Sequence, residues 1–176
     1  FQVPECELAG DLFEATQAAT AAAGMPAYEI SNHARPGEAS RHNLTYWRYG
    51  DYVGVGPGAH GRLTLADGTR VGTRTHLAPE VWLDQVAQQG HAAKPFEAIN
   101  PAEQVTEYLM MGLRLVEGVE LERITALGAQ DWQHSVKRPA LDRMVAQGLA
   151  SLDDTRLMLT ADGRQRLNSV LADLLI

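Results

Sequence analysis

Between Asp51 and Gly61 the chain places glycine at positions 54, 56, 58 and 61, with Pro57 among them. A helix cannot run through that stretch, because each interior glycine costs about 1 kcal/mol relative to alanine and a proline about 3 kcal/mol. Arg62 to Thr75, directly after the glycines, carries a hairpin signal, with Leu63, Leu65 and Val71 alternating around an Asp67-Gly68 turn. Ahead of the glycines, Tyr52-Val53-Gly54-Val55 predicts a strand. Gly56, Gly58 and Gly61 satisfy the spacing G-x-G-x-x-G, but a dinucleotide turn needs a helix directly after the glycines, and Pro57 removes one backbone donor. Two readings remain. One is a strand end that needs positive φ and close backbone approach; the other is a bare main-chain surface against which a flat ligand can lie.

The rest of the chain is organised around this stretch. Leu8, Leu12, Ala15, Ala19 and Ala22 recur at helical spacing until Gly24 and Pro26. Ala27 to Ile30 predicts a short strand, and Asn32 to Arg48 an irregular loop long enough to point to function. Pro79 opens a helix carrying Val81, Trp82 and Val86, which Gly90 closes. At Asn100-Pro101-Ala102-Glu103 a capping-box start comes after a change of composition at Lys94-Pro95, dividing the chain into residues 1–95 and 100–176. Val105, Leu109, Leu113 and Val116 predict a helix reaching Gly118, with a shorter one around Leu121, Ile124 and Leu127. Another begins near Pro139, bears Leu141, Met144 and Val145, and ends at Gly148. Leu149 to Leu159 reads as a hairpin turning at Asp153-Asp154, and Thr160 caps a last helix bearing Leu167, Val170, Leu171 and Leu174. The fold class is therefore α/β plus mainly α. The first part has the elements of one edge of an α/β sheet, and the second resembles a winged-helix unit.

Charge and cysteine content narrow the function classes. The net charge is −7, and residues 100–176 hold eight basic against eleven acidic side chains, a balance of −3. A winged-helix DNA reader would carry a basic stripe, whereas Asp153 and Asp154 occupy the wing tip, so no nucleic-acid partner is expected. The single cysteine, Cys6, cannot form an internal disulfide or a multi-cysteine metal site and fits the cytoplasm. No stretch approaches the roughly 20 apolar residues of a transmembrane helix. A start at Phe1, with no methionine, suggests a piece of a longer protein.

Within the long loop, His42-Asn43-Leu44-Thr45-Tyr46-Trp47 sets an imidazole and a phenol four residues apart beside an indole. Histidine and tyrosine both serve as axial ligands of haem iron, tryptophan packs on a flat macrocycle, and Arg41 and Arg48 offer forks for propionate carboxylates. An aromatic satellite core explains the same spacing. His33, His76, His91 and His134 lack a second ligand at metal-binding spacing, and nothing marks a serine triad or a carboxylate pair.

Tyr28-Glu-Ile-Ser-Asn-His-Ala-Arg-Pro-Gly37, Ser40-Arg-His-Asn-Leu-Thr-Tyr-Trp47 and Asp51-Tyr-Val-Gly-Val-Gly-Pro-Gly-Ala-His-Gly61 together resemble the later part of the oxygen-independent coproporphyrinogen III oxidase-like radical SAM proteins, the HemN/HemW-like family. Gly112 to Gly118 and Leu157 to Gly163 are similar to its C-terminal domain, and His-Asn-x-x-Tyr-Trp resembles its haem-chaperone branch. The resemblance implies the terminal βα elements of a radical SAM partial barrel with a β-hairpin over residues 1–95, and a small winged-helix-like domain over 100–176. It implies haem or porphyrin as ligand, bound through His42 with Tyr46 and Trp47 beside it, and haem-acceptor proteins as partners. It also implies an S-adenosylmethionine approach at Gly58, Ala59 and His60. The family's [4Fe-4S] cluster is held by a C-x₃-C-x₂-C pattern that Cys6 does not match, so neither cluster nor S-adenosylmethionine is expected to be retained, and the chain alone is expected to be inactive. The implied function is a radical SAM haem chaperone, with coproporphyrinogen oxidation as the alternative.

Overall fold

The computed structural model describes residues 5–128 and 131–175, a mixed α/β arrangement. Helix α1 (Cys6–Ala22) is followed by a turn, α2 (Arg41–Trp47), the β1–β2 hairpin (His60–Thr64 and Arg70–Arg74), α3 (Pro79–Gln89) and a short β3 (Glu97–Ala98). These three strands pair antiparallel in the order β1-β2-β3. Next come α4 (Pro101–Gly112), β4 (Val119–Glu120), α5 (Leu121–Ala126), a 3₁₀ turn at Trp132–Ser135, α6 (Arg138–Ala146), β5 (Ala150–Leu152), β6 (Arg156–Leu159), α7 (Ala161–Gln165) and α8 (Leu167–Leu174). The second sheet runs β4-β6-β5.

Local chemistry explains the elements that match expectation. Asn100 accepts from the Glu103 amide at 2.9 Å while the Glu103 carboxylate takes the Asn100 amide at 3.1 Å, the reciprocal capping box. The β1–β2 turn closes with Leu65 N donating to Thr69 O and Asp67 accepting from Thr69 N. Thr160 accepts from Gly163 N to start α7. Leu109, Leu113, Val119, Ile124, Leu141, Leu157 and Leu174 fill one core, each contributing on the order of 2 kcal/mol relative to exposure.

Five expectations are corrected. Residues 27–30 form no strand: Tyr28 N donates to Asn32 O, the segment doubles back through an Ala27–His33 bridge, and Glu29 bridges Leu115. The loop of 32–48 contains α2, capped by Ser40; its packing side is polar and aromatic, so no aliphatic period announced it. Tyr52 to Val55 makes only the Tyr52–Arg62 bridge, and Val53 and Val55 face solvent, because the close approach there is Gly54 against the His60 backbone. Helix α4 ends at Gly112, where a Cβ would run into the Val119 side chain, and a turn then carries Leu113 and Leu115 inward. The last helix is broken at Arg166 (φ −106°). There, Gly163 lies against the Leu149 carbonyl with no room for a side chain.

Candidate functional site

Helix α2 presents the motif residues on different sides. His42 and Tyr46, one turn apart, meet edge to face with ring centroids 4.7 Å apart and planes at 84°. Tyr46 in turn meets Tyr52, from the glycine-rich segment, at 4.3 Å. The result is a ladder from exposed His42 to half-buried Tyr46 and Tyr52. Among the described residues none hydrogen-bonds the His42 ring nitrogens, which leaves imidazole donors facing water. Burial pushes the Tyr52 hydroxyl pKa up, so this phenol stays neutral.

Trp47 does not join the ladder. Helical geometry turns it about 100° from Tyr46, and it lies under Arg114, whose guanidinium carbon is 4.4 Å from the indole centroid. Arg114 also reaches Glu29 at 3.3 Å, and Glu29, fully buried, accepts from Ser31 N at 2.7 Å and Asn32 Nδ2 at 2.6 Å. The Tyr28-Glu-Ile-Ser-Asn segment is thus a strut holding Arg114 over Trp47. A second strut is Asn43 Nδ2 donating to the Tyr28 hydroxyl at 3.1 Å.

Past α2, Tyr49 takes a left-handed conformation (φ 54°), costing on the order of 1 kcal/mol. Its hydroxyl donates to Glu107 at 2.8 Å, and Arg62 grips the same carboxylate at 2.6 and 3.0 Å. Burial, with Glu107 beside it, pushes the Tyr49 pKa up to about 12. Burial also acts to raise the Glu107 pKa, but the bonds from Arg62 and Tyr49 outweigh it and hold the carboxyl below its ordinary value.

Of the two arginines flanking the motif, Arg48 is held by Glu117 at 2.7 and 2.9 Å, whereas Arg41 is exposed. At the glycine-rich stretch, Gly58 N donates to His76 O at 2.7 Å and Ala59 N to Thr75 Oγ1 at 3.0 Å, so both amides are spent inside the chain. His60 is exposed at the start of β1. The residues that hold the site, Glu29, Tyr49, Glu107 and Arg114, were not singled out by the sequence. Glu29 and Arg114 do fall within the Tyr28–Gly37 and Gly112–Gly118 stretches that carry the family resemblance, which is the signal that could have found them.

Among the described residues no three His, Cys, Asp or Glu side chains gather to hold a metal, and no helix is long and apolar enough to cross a membrane.

The arrangement of these elements matches a known class. The solved coproporphyrinogen III oxidase HemN of Escherichia coli, described as a radical SAM enzyme, superimposes with a TM-score of 0.69. The match covers 96% of this chain and 41% of that one at 16% identity, a likeness of fold. Residues 99–166 match the family described as HemN C-terminal domain. The heme chaperone HemW of Escherichia coli is 32% identical over 96% of this chain and 43% of its own length. The mouse protein named radical S-adenosyl methionine domain-containing protein 1, mitochondrial, is 35% identical over 98% of this chain and 40% of its own. The chain belongs to the HemN/HemW-like family and corresponds to the C-terminal part of such a protein. It spans about 40% of the length of these curated relatives.

Proposed function

We propose that this chain is the haem-handling part of a haem chaperone that takes haem as cargo and passes it to acceptor proteins. The observation that carries this reading is the exposed His42 imidazole on α2, with Tyr46 set edge-on to it at 4.7 Å. Several relatives of comparable identity carry the name heme chaperone HemW, which supports the same reading. A neutral imidazole supplies the nitrogen donor that haem iron takes axially. Tyr46 limits the rotation of that ring, and Arg41 is the flanking guanidinium left to meet a propionate, since Arg48 is held by Glu117. Trp47 acts through Arg114 and α2, as a packing residue beneath the site.

Cys6 is the chain's one cysteine, so its residues do not fit a three-thiolate iron–sulfur cluster. Gly58, Ala59 and His60 remain a surface for S-adenosylmethionine, offered by the exposed His60 side chain, because the amides of Gly58 and Ala59 and the Ala59 carbonyl are occupied. β5 and β6 serve as the wing of a winged-helix-like packing unit.

Haemin titrated into the chain tests the proposal. Wild type should develop a saturating Soret band, His42→Ala should weaken binding by roughly tenfold or more, and Tyr46→Phe by less than about threefold. An unchanged band in His42→Ala removes the assignment. The likeness to HemN favours a second reading, coproporphyrinogen oxidation. Decarboxylation of coproporphyrinogen by a full-length protein containing this chain would select it.

A further inference from the structure

On the side of Tyr49 formed by its carbonyl, two guanidiniums converge. Arg70 Nη2 donates to the Tyr49 carbonyl at 3.1 Å, and Arg123 Nη2, arriving from α5, donates to the same oxygen at 3.1 Å. The two nitrogens therefore lie within about 6 Å of each other, close enough for like charges to repel at any protein dielectric. The left-handed turn at Tyr49 aims that oxygen toward both.

The two arginines differ in what remains free. Arg70 is buried, stacks 3.9 Å over the Tyr49 ring, and spends its Nη hydrogens on Asp51, Thr64, Tyr49 O and Gly50 O. Its Nε is buried without a partner. Arg123 is half-buried, stacks 5.0 Å over Tyr108, and among the described residues makes no ion pair. Its Nε and Nη1 donors are uncommitted. Both arginines line a cavity of about 390 Å³ between the β1–β2 hairpin tip and the end of α5, with Gln104, Thr64 and Ala126 on its walls. Among the described residues no carboxylate lines it, in a chain of net charge −7. Asp51 compensates Arg70 through Nη1, and Glu117 and Glu120 share a separate cavity with Arg123 without pairing to it.

We propose that this cavity is an oxyanion-binding site, taking a small organic phosphate or carboxylate on Arg123 with Arg70 behind it. A guanidinium stacked on an aromatic ring, half-dehydrated and lacking a carboxylate partner, is pre-organised for a bidentate oxyanion. The cavity exceeds the size of a bare anion and falls in the range of small-molecule pockets. This assignment is independent of haem at His42, whose residues do not line the cavity.

Calorimetric titration of the chain with inorganic phosphate and, separately, acetate tests it. Saturable binding of either supports the site, and the tighter of the two assigns the ligand class. Arg123→Gln should weaken that binding at least tenfold. Ala126→Glu, which sets a carboxylate in the cavity wall at an exposed position one helical turn from Arg123, should abolish it while circular dichroism stays unchanged. Arg143→Gln, on a surface pair with Asp173, should leave it alone. No saturable binding by wild type up to about 10 mM of either anion, or equal binding by wild type and Ala126→Glu, would overturn the site and leave Arg123 as a staple between Tyr49 and Tyr108.

Discussion

Residues 5–99 and residues 100–175 are held together by different forces. Among the described residues, the earlier part buries three hydrophobic side chains, Tyr49, Val71 and Ala92, and leaves Leu8, Leu12, Val53, Val55, Leu77, Leu83 and Phe96 more than half exposed. The later part sinks Leu109, Leu113, Ile124, Leu141, Leu157 and Leu174 almost completely, and its most exposed large hydrophobics, Met110, Val116 and Val145, stay below half exposure. Order in the earlier part comes instead from charged side chains that reach across: Arg62 to Glu107, Glu29 to Arg114, Arg48 to Glu117. The candidate haem helix α2 stands on that polar seam. A residue on such a seam is positioned by geometry more than by bulk, which suits a surface that must stay open to a ligand.

The contrast predicts a ranked series of effects. Leu109→Ala, at a fully buried position of α4, should cost about 3 to 5 kcal/mol in urea unfolding. A cost below about 1 kcal/mol would mean that the later part is not the stability core. Glu29→Ala should come next, at roughly 2 to 3 kcal/mol, because Arg114, Ser31 N and Asn32 each lose their bond to a fully buried carboxylate. The same variant should weaken haemin binding if the strut under Trp47 positions α2.

The pH dependence of the seam is smaller. Glu107 and Asp51 both have carboxyl pKa values depressed in the folded chain. At each, burial opposes the shift; bonds from Arg62 and Tyr49 outweigh it at Glu107, and bonds from Thr64 and Arg70 at Asp51. Their contribution is therefore complete above the unfolded carboxylate value of about 4.3 for Glu or 3.9 for Asp. It is lost as pH falls through the lower folded values. Unfolding measured from about pH 6 to pH 3 should show stability falling in acid, with a shallower slope in Glu107→Gln. Tyr49 adds the opposite dependence, losing its contribution only as pH rises from about 10 toward 12. Least of all, Leu77→Ala at a 79% exposed position should change stability by less than about 0.5 kcal/mol. A larger loss would show that apolar packing also supports the earlier part.

The two regions were also unequally legible. Most of the later part was readable, because its caps and apolar spacing are local: Asn100 and Glu103 box α4, and Leu141 with Met144 mark α6. In the earlier part only the hairpin and α1 and α3 declared themselves. Helix α2 is hidden in the sequence, since a helix that packs through Asn43, Tyr46 and Trp47 carries no aliphatic period and its motif residues read as loop. Residue composition did single out His42 and Tyr46 as a pair, and the fold keeps them as one at adjacent turns. It did not separate Trp47 from them, because adjacency in sequence says nothing of which neighbour claims a side chain.

By itself, then, the sequence determined the turns, the capped helices, the core stripe and the candidate ligand-bearing motif, all of which depend on residues within a few positions of one another. Only the tertiary structure decided that Glu29 is buried beneath Arg114, 85 positions away, and that Tyr49 gathers Arg70 and Arg123 on one carbonyl. It also decided that Arg48 is spent on Glu117 while Arg41 is left exposed. The reason is physical. Hydrophobic periodicity is a one-dimensional record of burial, whereas a charged pair is fixed by the meeting of two distant segments, and neither segment alone encodes its partner.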